Sequence, residues 1–94
     1  MEGISNIDRV ARQATAKEVF LALLARFAKS NRKVGDKKGP NYAPALFVRE
    51  DEAKQAGLDS KALEGAMRDL FKEDRIWNEP YGKPSRASYH IVKR

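Results

Sequence analysis

Few side chains in this chain could do covalent or metal chemistry. There is one histidine, His90, and no cysteine. Cys–His catalysis, disulfides and thiolate metal sites are therefore excluded. A zinc site would need several carboxylates to converge around His90. The densest carboxylate group is "REDE", Arg49 to Glu52, and on an exposed helix end such a run is ordinary solvated surface. A chain of 94 residues buries only about 60–65% of the surface its unfolded form exposes. That allows a core of roughly fifteen side chains, with no desolvated cleft to shift carboxylate pKa values and no room for a buried cofactor. The residues read as non-enzymatic, with no cofactor and no metal.

What remains is cationic. The net charge is +6, from 19 Lys and Arg against 13 Asp and Glu. The excess is concentrated in two places. Arg26 to Lys38 holds Arg26, Lys29, Arg32, Lys33, Lys37 and Lys38 against Asp36 alone, and Pro80 to Arg94 holds Lys83, Arg86, Lys93 and Arg94 with no acid. The rest of the chain is net acidic. A basic surplus confined to two loop-like segments suits an anionic partner, nucleic acid first, or else a solubilising charge set. No apolar stretch approaches the about 20 residues that span a bilayer, and "MEGISNIDRVARQ" has no apolar leader core. The expectation is a cytoplasmic protein with no membrane partner.

These charges must be positioned by local elements. Residues 1–14 form an N-terminal extension in which Ile4, Ile7 and Val10 recur at a spacing of three. This is a helical turn or two, or a frayed tail, and its apolar residues could pair a homodimer or fold back on their own domain. Thr15 to Phe27 is the clearest helix. Thr15 and Glu18 fit a capping box, and Val19, Phe20, Leu23, Leu24 and Phe27 form one apolar face. Asn31 to Asn41, with two glycines and a proline, reads as a loop with room for a very short strand at Val34. A second helix is expected within Tyr42–Leu58, with Pro44 in its first turn and Gly57 at its C′ position. The third runs from Asp59, its N-cap, to Asp74, burying Ala62, Leu63, Ala66, Met67, Leu70 and Phe71. Strands follow at about Arg75–Glu79 and Ala87–Val92, with both prolines in the loop Pro80–Arg86 and Trp77 in the core beneath the hairpin.

Three helices, a Gly-containing turn and a hairpin with a basic loop resemble a winged helix-turn-helix domain: α+β, a three-helix bundle plus a C-terminal β-hairpin wing, over residues 15–94. "AKQAGLDSKALEGAMRDLFKEDRI" (Ala53 to Ile76) looks like that family's turn, recognition helix and entry to the wing. More narrowly, "NYAPALF", "ALEGAMRDLF" and "EPYGKPSRASYHIV" are similar to the C-terminal module of RepA-like, RecA-fold ATPases of phages and plasmids. The phosphate loop of that ATPase core is absent here.

The resemblance implies a DNA-binding module of plasmid or phage replication or of transcription control, with a larger ATPase or a host protein as a further partner. It places Ser60, Lys61, Glu64, Arg68 and Lys72 on the outer side of the third helix, facing the major groove of duplex DNA. Arg68 would fork onto guanine, and Glu64 would accept from cytosine. Tyr81, Lys83 and Arg86 on the wing would meet sugar and phosphate, and Lys29, Arg32, Lys33, Lys37 and Lys38 would add a second backbone contact. One number opposes base reading. Asp59 to Asp74 carries Lys61, Arg68 and Lys72 against Asp59, Glu64, Asp69, Glu73 and Asp74, a net acidic helix. The alternative class is a protein–protein module using the acidic helix, the "REDE" run and the aromatics Tyr42, Trp77 and Tyr81. Replacing the two wing cations, Lys83→Ala/Arg86→Ala, is expected to flatten the log–log salt dependence of duplex binding by about 2, each phosphate contact contributing about 0.9. A salt titration of both proteins checks it.

Overall fold

The computed structural model describes residues 2–82 and 88–94, without the side chains of residues 2–10. Four helices precede a two-stranded hairpin: α1 (Glu2–Lys29), α2 (Ala43–Phe47), α3 (Asp51–Gln55), α4 (Ser60–Lys72), β1 (Ile76–Tyr81) and β2 (Ser88–Lys93). The protein is α+β, with helices followed by an antiparallel hairpin. Among the described residues no helix is long and apolar enough to cross a membrane.

α1 is longer than its apolar face. It runs unbroken through Thr15, which is exposed in mid-helix and caps nothing. Between Ile4 and Phe27 there is neither glycine nor proline, and alanines at 11, 14 and 16 carry the helix across the expected start. Ile4, Ile7 and Val10 fall on this helix, but their side chains lie outside the described residues. From Ala16 onward Phe20, Leu23, Leu24 and Phe27 are buried.

The expected second helix is two single turns. After α2, the N–H groups of Arg49 and Glu50 bond back three residues, to Leu46 and Phe47, tightening the chain. Glu50 is extended, with φ −81° and ψ 149°. Arg26 from α1 forks across Glu50 and Glu52, so two of the three carboxylates of "REDE" are tied to the body. Phe47 is fully buried and meets the rings of Phe20 and Phe27 edge-on, at 4.9 and 5.1 Å between centroids.

Three helix ends share one solution. Asn31 (φ 60°), Gly57 (φ 68°) and Asp74 (φ 62°) are left-handed. The next N–H in each case reaches the carbonyl five residues back: Arg32 to Phe27 (2.8 Å), Leu58 to Ala53 (2.9 Å) and Arg75 to Leu70 (2.9 Å). These are the Schellman bonds that satisfy orphan carbonyls. Gly57 is the expected terminator; Asn31 and Asp74 do the same with a side chain present.

In the hairpin Ile76 faces Lys93, Asn78 faces Ile91 and Pro80 faces Tyr89, while Trp77 faces Val92, Glu79 faces His90 and Tyr81 faces Ser88. Opposed residues share a face. Ile76 and Ile91 are buried, so their face is the inward one. Trp77 is therefore on the outward face, 39% exposed, with the Arg94 guanidinium 5.9 Å from its ring centre; it is not core. Pro80 lies within β1 rather than in the loop, tolerated because both strands are edges. β2 is fixed to the body by Ile91 N–H donating to Val34 carbonyl at 2.8 Å. Gly35 bridges Tyr42 beside it, close to the short strand expected at Val34. Truncating the central ring, Phe47→Ala, is expected to cost about 3–5 kcal/mol, read as a lowered urea midpoint.

Candidate nucleic-acid interface

α4 sets the interface by its rotation. Asp59 is extended and its carboxylate accepts from Ala62 N–H at 2.8 Å, starting the helix there. Leu63, Ala66, Met67 and Leu70 turn inward. Helical spacing then puts Lys61, Gly65, Arg68 and Lys72 on one outward stripe, and the three cations are exposed. A side chain at Gly65 would meet nothing within 4 Å, so the stripe is shallow between Lys61 and Arg68. Ser60 is exposed in the first turn.

Four of the five acids of this segment are engaged, and the fifth, Asp69, flanks the stripe. Asp59 caps the helix. Glu64, half-buried, accepts from Tyr42 O–H at 2.6 Å. Asp69 lines a cleft of about 200 Å³ with Arg12 and Gln13 of α1 and with Lys61 and Gly65 of the stripe. Glu73 accepts from Lys17 Nζ at 2.7 Å, and Asp74 from Arg94 at 2.6 Å. The net acidity of the segment thus does not describe its outer face. Glu64 is withdrawn from that face, and the expected acceptor for cytosine is already bonded to Tyr42.

The hairpin divides the remaining residues between two faces. On the outward face the Lys33 ammonium lies 5.3 Å from the Tyr81 ring centre. His90 meets the same ring edge-on at 5.1 Å and stands 3.4 Å from Glu79. Tyr81, expected to pack on sugar, is half-buried among these partners. On the inward face Asn78 and Tyr89 line a cleft of about 610 Å³ with Gly35, Asp36, Lys37 and Pro40, and Ser88, which opposes Tyr81 on the outward face, borders it at the strand end. Asn78 donates to Asp36 at 3.1 Å. Asp36 also lines a neighbouring cleft of about 360 Å³ that includes Tyr42, Glu64 and Arg68, so the two clefts adjoin. The inward face of the hairpin and the Arg68 side of α4 therefore belong to one surface, with Lys37 on it and Lys33 off it.

Lys29, Arg32 and Lys38 are exposed, with the Arg32 guanidinium 4.1 Å from the Phe27 ring centre. Lys83 and Arg86 lie outside the described residues. Sequence reasoning missed Tyr89, which is 56% exposed at the rim of the larger cleft. The signal was its spacing of two from Ile91, which puts both on the inward face, with Tyr89 past the edge of the core. No protein-family model, curated protein or solved structure matches the chain.

The Tyr42–Glu64 contact gives a pH prediction. Burial first, and then the hydrogen bond to Glu64, push the Tyr42 phenol up from 10.0 to about 12. The neutral phenol is favoured in the folded protein. Stability from this contact is therefore complete below about pH 10 and lost as pH rises through about 12. The phenolate absorbance removed by Tyr42→Phe is expected to appear near pH 12.

Proposed function

We propose that the chain is a non-enzymatic winged-helix module that binds duplex DNA through α4 and the basic hairpin. It acts in the cytoplasm, in plasmid or phage replication or in transcription control, as its resemblance to the accessory module of RepA-like ATPases implies. The observation that carries this reading is the outward stripe of α4, where Lys61, Arg68 and Lys72 are exposed and four of the segment's five acids are engaged, leaving Asp69 at its flank. The order of elements supports the fold assignment: a long helix, an extended Val34–Gly35 segment bonded to β2, two short helices, α4 and the hairpin.

The stripe suits a polyanion in two ways. Its cations release counterions when they meet phosphate. Gly65 lets the other molecule come close to the helix backbone between them. Arg68 has the fork that reads guanine O6 and N7, but its neighbours Lys61 and Lys72 are point charges better suited to phosphate. Backbone contact therefore dominates, and sequence preference is modest. The features that favour a protein partner are weakened, since Glu50 and Glu52 are held by Arg26 and Glu64 by Tyr42.

Fluorescence anisotropy with a blunt duplex tests the reading between about 50 and 200 mM salt, where five or so phosphate contacts remove roughly a hundred- to a thousandfold of affinity. Lys61→Ala/Arg68→Ala/Lys72→Ala is expected to reduce the slope by about 2–3. No binding at low salt, or an unchanged slope in the triple variant, would overturn it.

A further inference from the structure

We propose that the cleft between the Gly35–Asn41 loop and the inward face of the hairpin holds an unpaired nucleotide of single-stranded DNA, its base stacked on Tyr89. This rests on the nucleic-acid reading above and adds the strandedness of the ligand.

Tyr89 is the starting point. It is 56% exposed in a strand whose neighbour on the same face, Ile91, is 3% exposed. Its ring stands at the rim of a cleft of about 610 Å³, within the range of roughly 300–1,000 Å³ typical of small-ligand sites. A π-face left open beside a basic loop suits a base whose own faces are free. In a duplex each base is covered above and below, and opening a step costs free energy. A single strand presents its bases already unstacked.

The other lining residues fit the rest of a nucleotide. Lys37 is exposed on the loop side of the cleft and can meet a phosphate. Asn78 supplies a polar side chain on the same face as the ring. The one carboxylate of the wall, Asp36, already accepts from Asn78. Tyr81 cannot serve as a second platform here, because its ring is on the opposite face beneath Lys33 and beside His90. The cleft also adjoins the Arg68 side of α4 through Asp36. A strand leaving a duplex seated on α4 can reach Tyr89 without crossing the body.

The test compares a labelled oligodeoxythymidine with a blunt duplex, using wild type, Tyr89→Ala and Tyr89→Phe, with circular dichroism as the folding control. Tyr89→Ala is expected to weaken single-strand binding about 5- to 150-fold, the range of one base–aromatic stack. Tyr89→Phe should retain it, and duplex binding should be the same in all three proteins. Lys37→Ala, a change on an exposed loop, should flatten the single-strand salt slope by about 0.7. Unchanged single-strand affinity in Tyr89→Ala overturns the proposal. So does an equal loss on both DNAs, which would make Tyr89 a backbone contact. A wild-type protein that binds duplex but not single strand overturns this inference alone; one that binds neither overturns the DNA reading as well.

Discussion

Burial of Leu63, Ala66, Met67 and Leu70 fixes the rotation of α4, and with it the charge that the protein shows to solvent. The residues of a helix are about 100° apart in projection. A turn of one residue would swing Glu64 outward and press a lysine or arginine toward the core. The apolar stripe prevents this, because exposing two leucines and a methionine would forfeit roughly 1.5–3 kcal/mol for each. Three acids of the segment then fall where another element has a partner for them: Glu64 at Tyr42 before α2, Glu73 at Lys17 of α1, and Asp74 at Arg94 after β2. The cationic stripe is a by-product of core packing, and it persists for as long as the core does.

The hairpin depends on the same core. Two strands alone are marginal in water. These are held at one end by Ile76 and Ile91, both buried, and by the Val34 carbonyl bonded to Ile91 N–H. Beyond that anchor the strands leave the body, which is why Pro80 and Tyr89 can sit opposite each other with little cover. Pro80 cannot donate to a ladder, so it blunts the exposed edge against pairing with another chain.

Much of this was legible in the sequence. Asp59 as a cap, Gly57 as a terminator and the α4 stripe each follow from local rules with one strong solution, and the structure contains all three. The start of α1 was misjudged because a capping box at Thr15 and Glu18 competes with an alanine-rich helix that needs no cap there. The break at Val48–Glu50 comes with ion pairs from Arg26, some two dozen residues earlier, and no local pattern encodes that pairing. Trp77 was misplaced for one reason. A period of two says which aromatics share a face, but the packing of Ile76 and Ile91 decides which face is inward.

Counting charges along a segment misled in a different way. Asp59 to Asp74 is acidic in sum and basic on its outer side, since a sum carries no direction. The loop before α2 shows the converse. Its cations look like one cluster along the chain, yet Val34 passes beneath the hairpin edge, with Lys33 over Tyr81 on the outward face and Lys37 in the inward cleft. One straight polyanion cannot use both at short range, and beyond about 8–10 Å at physiological salt their attraction is largely screened. Among the described residues the cations that one face presents are therefore fewer than the net charge of +6 suggests. Among the described residues Lys33 is engaged with the Tyr81 ring, while Lys37 and the cations of α4 lie on the other side.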